Sequence, residues 1–204
     1  MKLKDEFDKF YTCHFNHELA SPIFYGFPVG IRYEIGIGSV YDKVYVKSAV
    51  NRALAIFNEL FNEGDDIYLV VNSYEDDPND LADNDISTVR PLIYRIQDEC
   101  KYVFASTIYE QNPHTRYIIK ASVKNIQVEQ LLEAIVWSDI DGRNSLRGCV
   151  YWLNPRNNII YYLYDDRGLD VVSEERKNLE HIYSKFNSWI LEYDRERIYS
   201  VFTV

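Results

Sequence analysis

The chain's chemistry is concentrated in the stretch Tyr161 to Asp170, where an apolar run meets three carboxylates, Asp165, Asp166 and Asp170, one arginine, Arg167, and one glycine, Gly168. Carboxylates that converge at the mouth of a cleft can hold a divalent cation and orient water, the basis of phosphate-ester hydrolysis. Arg32 and Glu34 lie two residues apart on a predicted strand and so share one face. They extend the candidate binding set to Asp165, Asp166, Arg167, Asp170, Arg32 and Glu34. The simpler reading is a tight turn whose Asp side chains accept backbone amides and whose Arg neutralises them. In that reading Gly168 is present because glycine adopts positive φ without steric cost. Arg167 is then expected to be held by carboxylates. Glu192, Asp194 and Glu196 would return along the sheet towards it, with Arg195 facing the Asp turn, locking the C-terminal helix to the central strand.

Other chemistries have weaker signals. Cys13, His14 and His17 place a thiol beside two histidines, but His114 and His181 are isolated and no second ligand cluster completes a zinc site. No protein metal ligand set and no cofactor is expected. Ser138-Asp139-Ile140-Asp141-Gly142 resembles the opening motif of haloacid-dehalogenase-type phosphatases, and Asp166 and Asp170 echo their late acidic pair. Yet Asp139 follows a helical pattern, and too few residues separate the two motifs for an intervening sheet. A solvated turn fits better. The chain lacks the P-loop, nucleophile-elbow and His-Glu-x-x-His patterns. Gly36 and Gly38 alone are a weak nucleotide signal.

The elements that must position these residues can be read from periodicity. Ile159 to Tyr164 is apolar without alternation, which predicts a strand covered on both faces. A short helix is predicted over Leu3 to Phe15. A strand is predicted over Val29 to Ile37, a long amphipathic helix over Asp42 to Asn62, and a strand over Asp66 to Asn72. This succession reads as a parallel βαβ crossover. Glu75 to Asp85 reads as an acidic loop, and a helix is expected within Thr88 to Gln97. Strands Lys101 to Tyr109 and Thr115 to Val123 form one expected hairpin. A helix over Val128 to Trp137 follows, then a hairpin of Gly148 to Leu153 and Asn158 to Tyr164. A last long helix is expected from Glu174 to Ile190, capped by Ser173. The fold expected is α+β: a mixed, mainly antiparallel sheet of about six strands, one N-terminal βαβ unit and packed helices. Residues 1–204 are read as one domain, with residues 1–23 as a helical extension.

Composition narrows the function classes. The net charge of −10 argues against nucleic acid or an anionic membrane as partner and allows a basic protein. Eighteen tyrosines offer side chains with an apolar body and a polar tip, suited to interfaces. Three widely spaced cysteines suit free buried thiols in a reducing cytosol. The charged N-terminus and the lack of a long apolar run point to a cytoplasmic protein.

Pro28 to Gly36, Ile67 to Asn72, Tyr164 to Asp170 and Trp189 to Arg195 together resemble a family of bacterial proteins known as domain of unknown function 3885. The likeness spans roughly Phe24 to Phe202. It implies a cytosolic bacterial protein of one domain and no particular activity. The function expected is therefore a non-enzymatic acidic binding protein, of immunity or antitoxin type, that neutralises a basic partner. The alternative is a metal-dependent hydrolase of phosphate esters acting through Asp165, Asp166 and Asp170.

Overall fold

The computed structural model describes residues 2–42, 44–73, 84–104, 114–140 and 146–203. Most of the expected acidic loop (75–85), the end of the strand expected over 101–109, the Gln111–Pro113 link, and Asp141 and Gly142 lie outside them.

Among the described residues, seven strands form one sheet: β1 (Val29–Glu34), β2 (Asp66–Ser73), β3 (Asp98–Phe104), β4 (His114–Ser122), β5 (Cys149–Asn154), β6 (Ile159–Leu163) and β7 (Gly168–Ser173). Their spatial order is β1-β7-β6-β5-β2-β4-β3. Every pairing is antiparallel. The class is α+β, as the element pattern implies.

The parallel crossover is not formed as a pair. Counting antiparallel neighbours, β1 and β2 do run in the same sense, but β7, β6 and β5 lie between them. The reason is β7. Gly168-Leu169-Asp170-Val171-Val172-Ser173 reads as the end of a turn, yet it is a strand with all six residues buried, and it claims β1 as its partner.

Two layers cover the sheet. On one face, Ile31, Leu69, Ile119, Trp152, Tyr161 and Val171 pack under α3 (Tyr45–Leu60) and α5 (Val128–Ile140). α4 (Asn84–Val89), α6 (Glu180–Lys185) and α7 (Arg195–Phe202) contribute Ile86, Ile182 and Ile198 to the same cluster. On the other face, Tyr68, Val70, Tyr151, Ile160 and Val172 meet the N-terminal segment. That segment comprises α1 (Leu3–His14), the stretch through Phe15 and Leu19, and the short α2 (Ile23–Gly26). β6 therefore buries Ile159, Tyr161 and Leu163 one way and Ile160 and Tyr162 the other, which is why its sequence shows no alternation. Each such side chain contributes roughly 1.5–3 kcal/mol by leaving water.

The expected helix over Glu174 to Ile190 is broken into a 3₁₀ turn Arg176–Asn178, α6 and a second 3₁₀ turn Asn187–Trp189. Phe186 and Ile190 are buried all the same. The chain then closes the β1 edge. Ile190 bridges to Tyr33, and the Leu191 amide donates to the Arg32 carbonyl at 2.9 Å. No helix among the described residues is long and apolar enough to cross a membrane.

Candidate functional site: a carboxylate-rimmed cleft

The site forms where β5 and β6 part. Their ladder runs only over Trp152–Asn154 against Ile159–Tyr161. Beyond it, β5 continues along β2 and β6 along β7. Between the diverging ends lies a cleft of about 290 Å³, lined by Ile135, Ser138 and Asp139 of α5, by Arg147 and Gly148, and by Tyr162 and Tyr164 among others. Tyr162, which lines the cleft, has its Oη 2.9 Å from the Cys149 Sγ.

Asp139 reaches the rim because of helical spacing. Ile135 is buried, and Asp139 lies one turn further along the same face. The β6–β7 turn supplies the other two carboxylates. Ligand oxygens of Asp139, Asp165 and Asp166 all lie within 4.8 Å of one another, the one such group among the described residues.

The turn has a definite architecture. Asp165 Oδ1 accepts the amides of Arg167 at 2.8 Å and Gly168 at 2.6 Å, so one carboxylate arm is structural. The Tyr164 amide donates to the Gly168 carbonyl at 3.2 Å, closing the turn. Asp166 is buried, and its Oδ2 accepts the Tyr45 hydroxyl at 2.5 Å. The end of β1 clamps the other side: the Ile35 amide donates to the Arg167 carbonyl at 2.8 Å.

Two glycines are explained by close approach. A Cβ on Gly36 would lie 2.3 Å from the Tyr45 hydroxyl and 2.6 Å from the Asp166 carbonyl. Gly168 does not have the positive φ expected of it; its place is fixed by the Tyr164 ring, whose hydroxyl would stand 1.8 Å from an added Cβ.

The electrostatics of the rim follow from crowding. Asp139 is held above the ordinary carboxylate value of 3.8, first by a hydrogen bond shared with Asp166, then by burial and by the charges of Asp165 and Asp166. Burial raises Asp165 too, against the pull of the two amides it accepts. The three carboxylates repel one another, and a cation placed between them would relieve that crowding.

The sequence-derived candidates separate into two groups. Asp165 and Asp166 are at the rim. Asp170 is not: it sits in β7 directly opposite Arg32 of β1. Arg32 Nε donates to Asp170 Oδ1 at 2.8 Å and its terminal nitrogen to Oδ2 at 3.0 Å, a bidentate pair. Asp170 Oδ2 also accepts the Phe24 amide at 3.3 Å. Asp194 approaches the same guanidinium at 3.5 Å, and Tyr25 donates to Asp194 at 3.1 Å. Phe24, Tyr25 and Tyr164 surround the guanidinium at 4.8, 4.9 and 5.4 Å. Burial pushes the Asp170 carboxyl up while Arg32 and the Phe24 amide pull it down. Arg32 stays charged, because the hydrogen bond and charge of Asp170 outweigh the cost of burying it. This is a structural lock.

The lock expected of Arg167 is thus carried by Arg32. Arg167 is 74% exposed and only approaches Asp166, at 3.8 Å. Its carbonyl and amide matter more than its guanidinium. Arg195 does not face the Asp turn; it donates to the carbonyls of Asn187 and Ile190 and to Glu192. Glu34 is exposed at the end of β1 and shares a face with Arg32, as the alternation predicts, but is not brought into the carboxylate group. Cys13 is exposed rather than buried, Cys100 is half-buried and Cys149 is buried; all three are free thiols. His17 approaches Glu174 at 3.8 Å and gathers no ligand set with Cys13 and His14.

Asp139 is the site residue that the sequence reading sets aside, as part of a solvated turn after a helix. Its signal was present: a carboxylate one turn beyond a buried helical position. What was not visible is that α5 ends above the β6–β7 turn.

One segment begins and ends at the turn that carries Asp165 and Asp166. Gly36 and Tyr45 both touch the Asp166–Arg167 turn, so the chain between them leaves and returns at the site. In that segment Ile37, Val40, Tyr41 and Val44 are 50%, 41%, 92% and 69% exposed.

The arrangement is that of a single α+β sheet protein with an acidic cleft at one end of its strands. The chain belongs to the family described as Domain of unknown function (DUF3885), whose match covers residues 6–194 and so takes in both the cleft and the Arg32–Asp170 lock. A similar protein is "Uncharacterized protein YnaE" of Bacillus subtilis (strain 168), 26% identical over 156 residues, or 68% of this chain and 71% of the relative. No solved structure gives a significant match.

Proposed function

We propose that this protein is a non-enzymatic binding protein that presents its acidic, aromatic end to a basic protein partner, in the manner of an immunity or antitoxin protein. One observation carries the reading: the exposed Ile37, Val40, Tyr41 and Val44 stand on a segment rooted in the Asp165–Asp166 turn. An apolar anchor beside crowded carboxylates suits a partner whose own surface combines a hydrophobic pocket with Lys or Arg. Such a cation would relieve the repulsion among Asp139, Asp165 and Asp166. The net charge of −10 would speed the encounter.

The test is capture from native lysate by the tagged protein and by a Tyr41→Ala/Val44→Ser variant, at low and high salt. The expected result is a basic protein held by the wild-type chain, released by salt and lost from the variant. Identical captures by both chains would refute the proposal.

A metal-dependent phosphate-ester hydrolase is the second reading. Its support is that Asp139 joins Asp165 and Asp166, with Arg147 lining the same cleft. Oxygen ligands at this spacing suit a hard divalent cation, and an arginine suits a phosphate. Asp170 has no part in it, being taken by Arg32. Titration calorimetry with Mg²⁺ and Mn²⁺ on the wild-type and Asp165→Asn chains decides it: heat that vanishes in the variant favours a metal site, and no heat in either removes it.

A further inference from the structure

We infer that the β3 edge of the sheet pairs with the β3 edge of a second copy of this chain. The two ends of the sheet are finished differently. β1 is closed by Ile190 and Leu191. Among the described residues, no strand pairs with the outer side of β3. Val103 is 66% exposed on that strand. An unpaired edge with an exposed apolar residue is a template for another strand.

The order of side chains selects the occupant. In an antiparallel pair about a two-fold axis perpendicular to the sheet, opposed residues must point to the same face. The axis must then pass through a residue of β3 and its own copy. An axis at Lys101 opposes two lysines, and an axis at Glu99 opposes two glutamates. An axis at Cys100 sets Glu99 opposite Lys101 twice, and Asp98 opposite Tyr102. Opposite charges directly across a ladder stabilise it, and like charges destabilise it. The acid–thiol–base order Glu99-Cys100-Lys101 is therefore complementary to itself. A foreign strand would have no need of that symmetry.

A seven-residue strand makes a small interface, so the association is expected to depend on concentration in the micromolar to millimolar range. The axis places Cys100 opposite its own copy. Cα separations across antiparallel pairs, about 4.5–5.5 Å, are within disulfide reach.

The experiment is sedimentation velocity over a concentration series, on the wild-type chain, Glu99→Lys, Lys101→Glu and the double exchange. The wild-type chain is expected to dimerise with concentration. Each single reversal should weaken the dimer at least several-fold, and the double exchange should restore it. Within its own chain Glu99 pairs with Arg90 and the Lys101 ammonium lies over the Tyr117 ring, so thermal melts must show that each variant is folded. Mild oxidation in a Cys13→Ser background should give a cross-link that maps to Cys100. A chain that stays monomeric up to about 1 mM overturns the inference. So does a dimer indifferent to the charge reversals, or one that cross-links elsewhere.

Discussion

At the scale of single residues, Asp139 and Arg32 show what a carboxylate or a guanidinium becomes once its neighbours are fixed. Asp139 retains its proton more tightly than a free aspartate, chiefly through the hydrogen bond with Asp166. A group whose folded-state pKa is raised stabilises the fold fully below its unfolded value of 3.8 and loses that contribution as pH rises through the raised value. Asp139→Asn keeps a donor for Asp166 and removes the charge. The variant should therefore be more stable than the wild-type chain at neutral pH, by no more than about 1 kcal/mol because the residue is exposed. The gain should vanish near pH 3, and urea midpoints across pH check it. Arg32→Ala makes the opposite prediction: it leaves Asp170 buried and unpaired and should cost roughly 3–5 kcal/mol. Arg167→Ala, on the exposed guanidinium, should shift the same melts by within about 0.5 kcal/mol. In the sequence the two arginines look alike, and Arg167 has the more acidic neighbours. Only the pairing of β1 with β7 shows which one is enclosed. A buried aspartate inside an apolar run does demand a cation, and Arg32 on the polar side of its strand was available to supply it.

At the scale of elements, the sequence was legible wherever local periodicity and final burial agree. The α3 helix shows its stripe of Ala49, Val50, Ala53, Ile56, Phe57 and Leu60 in the chain and buries that stripe in the structure. β6 shows no alternation because both its faces are covered. The failures occur where a residue serves a distant partner. β7 begins with a glycine and contains an aspartate, both turn-like, because Tyr164 crowds Gly168 and Arg32 neutralises Asp170. The region from Glu174 to Ile190 has clean helical spacing but must turn back to meet the β1 edge, and 3₁₀ turns allow it. The cleft was illegible for the same reason. It exists because a ladder stops early, and ladder length depends on which strands lie to either side.

At the scale of the whole molecule, the sheet joins the two ends of the chain. β1 pairs with β7 and with the Ile190 bridge, and with no other strand of the described residues. A chain ending at Leu163 would keep β2, β3, β4, β5 and β6 but leave β1 without a ladder and Arg32 without Asp170. Such a fragment is expected to lack a cooperative melt by near-ultraviolet circular dichroism, although much of the apolar sequence remains.

That closure also sets an order in time. During synthesis β1 emerges roughly 140 residues before its partner. At about 5–20 residues per second, Ile31 and Tyr33 wait roughly 7–28 seconds on the ribosome before β7 can cover them. The N-terminal segment faces a similar delay, since Tyr151, Ile160 and Val172 beneath it are also late. The nascent chain thus carries an unpaired apolar strand over that interval. β7 completes the sheet that β1 begins.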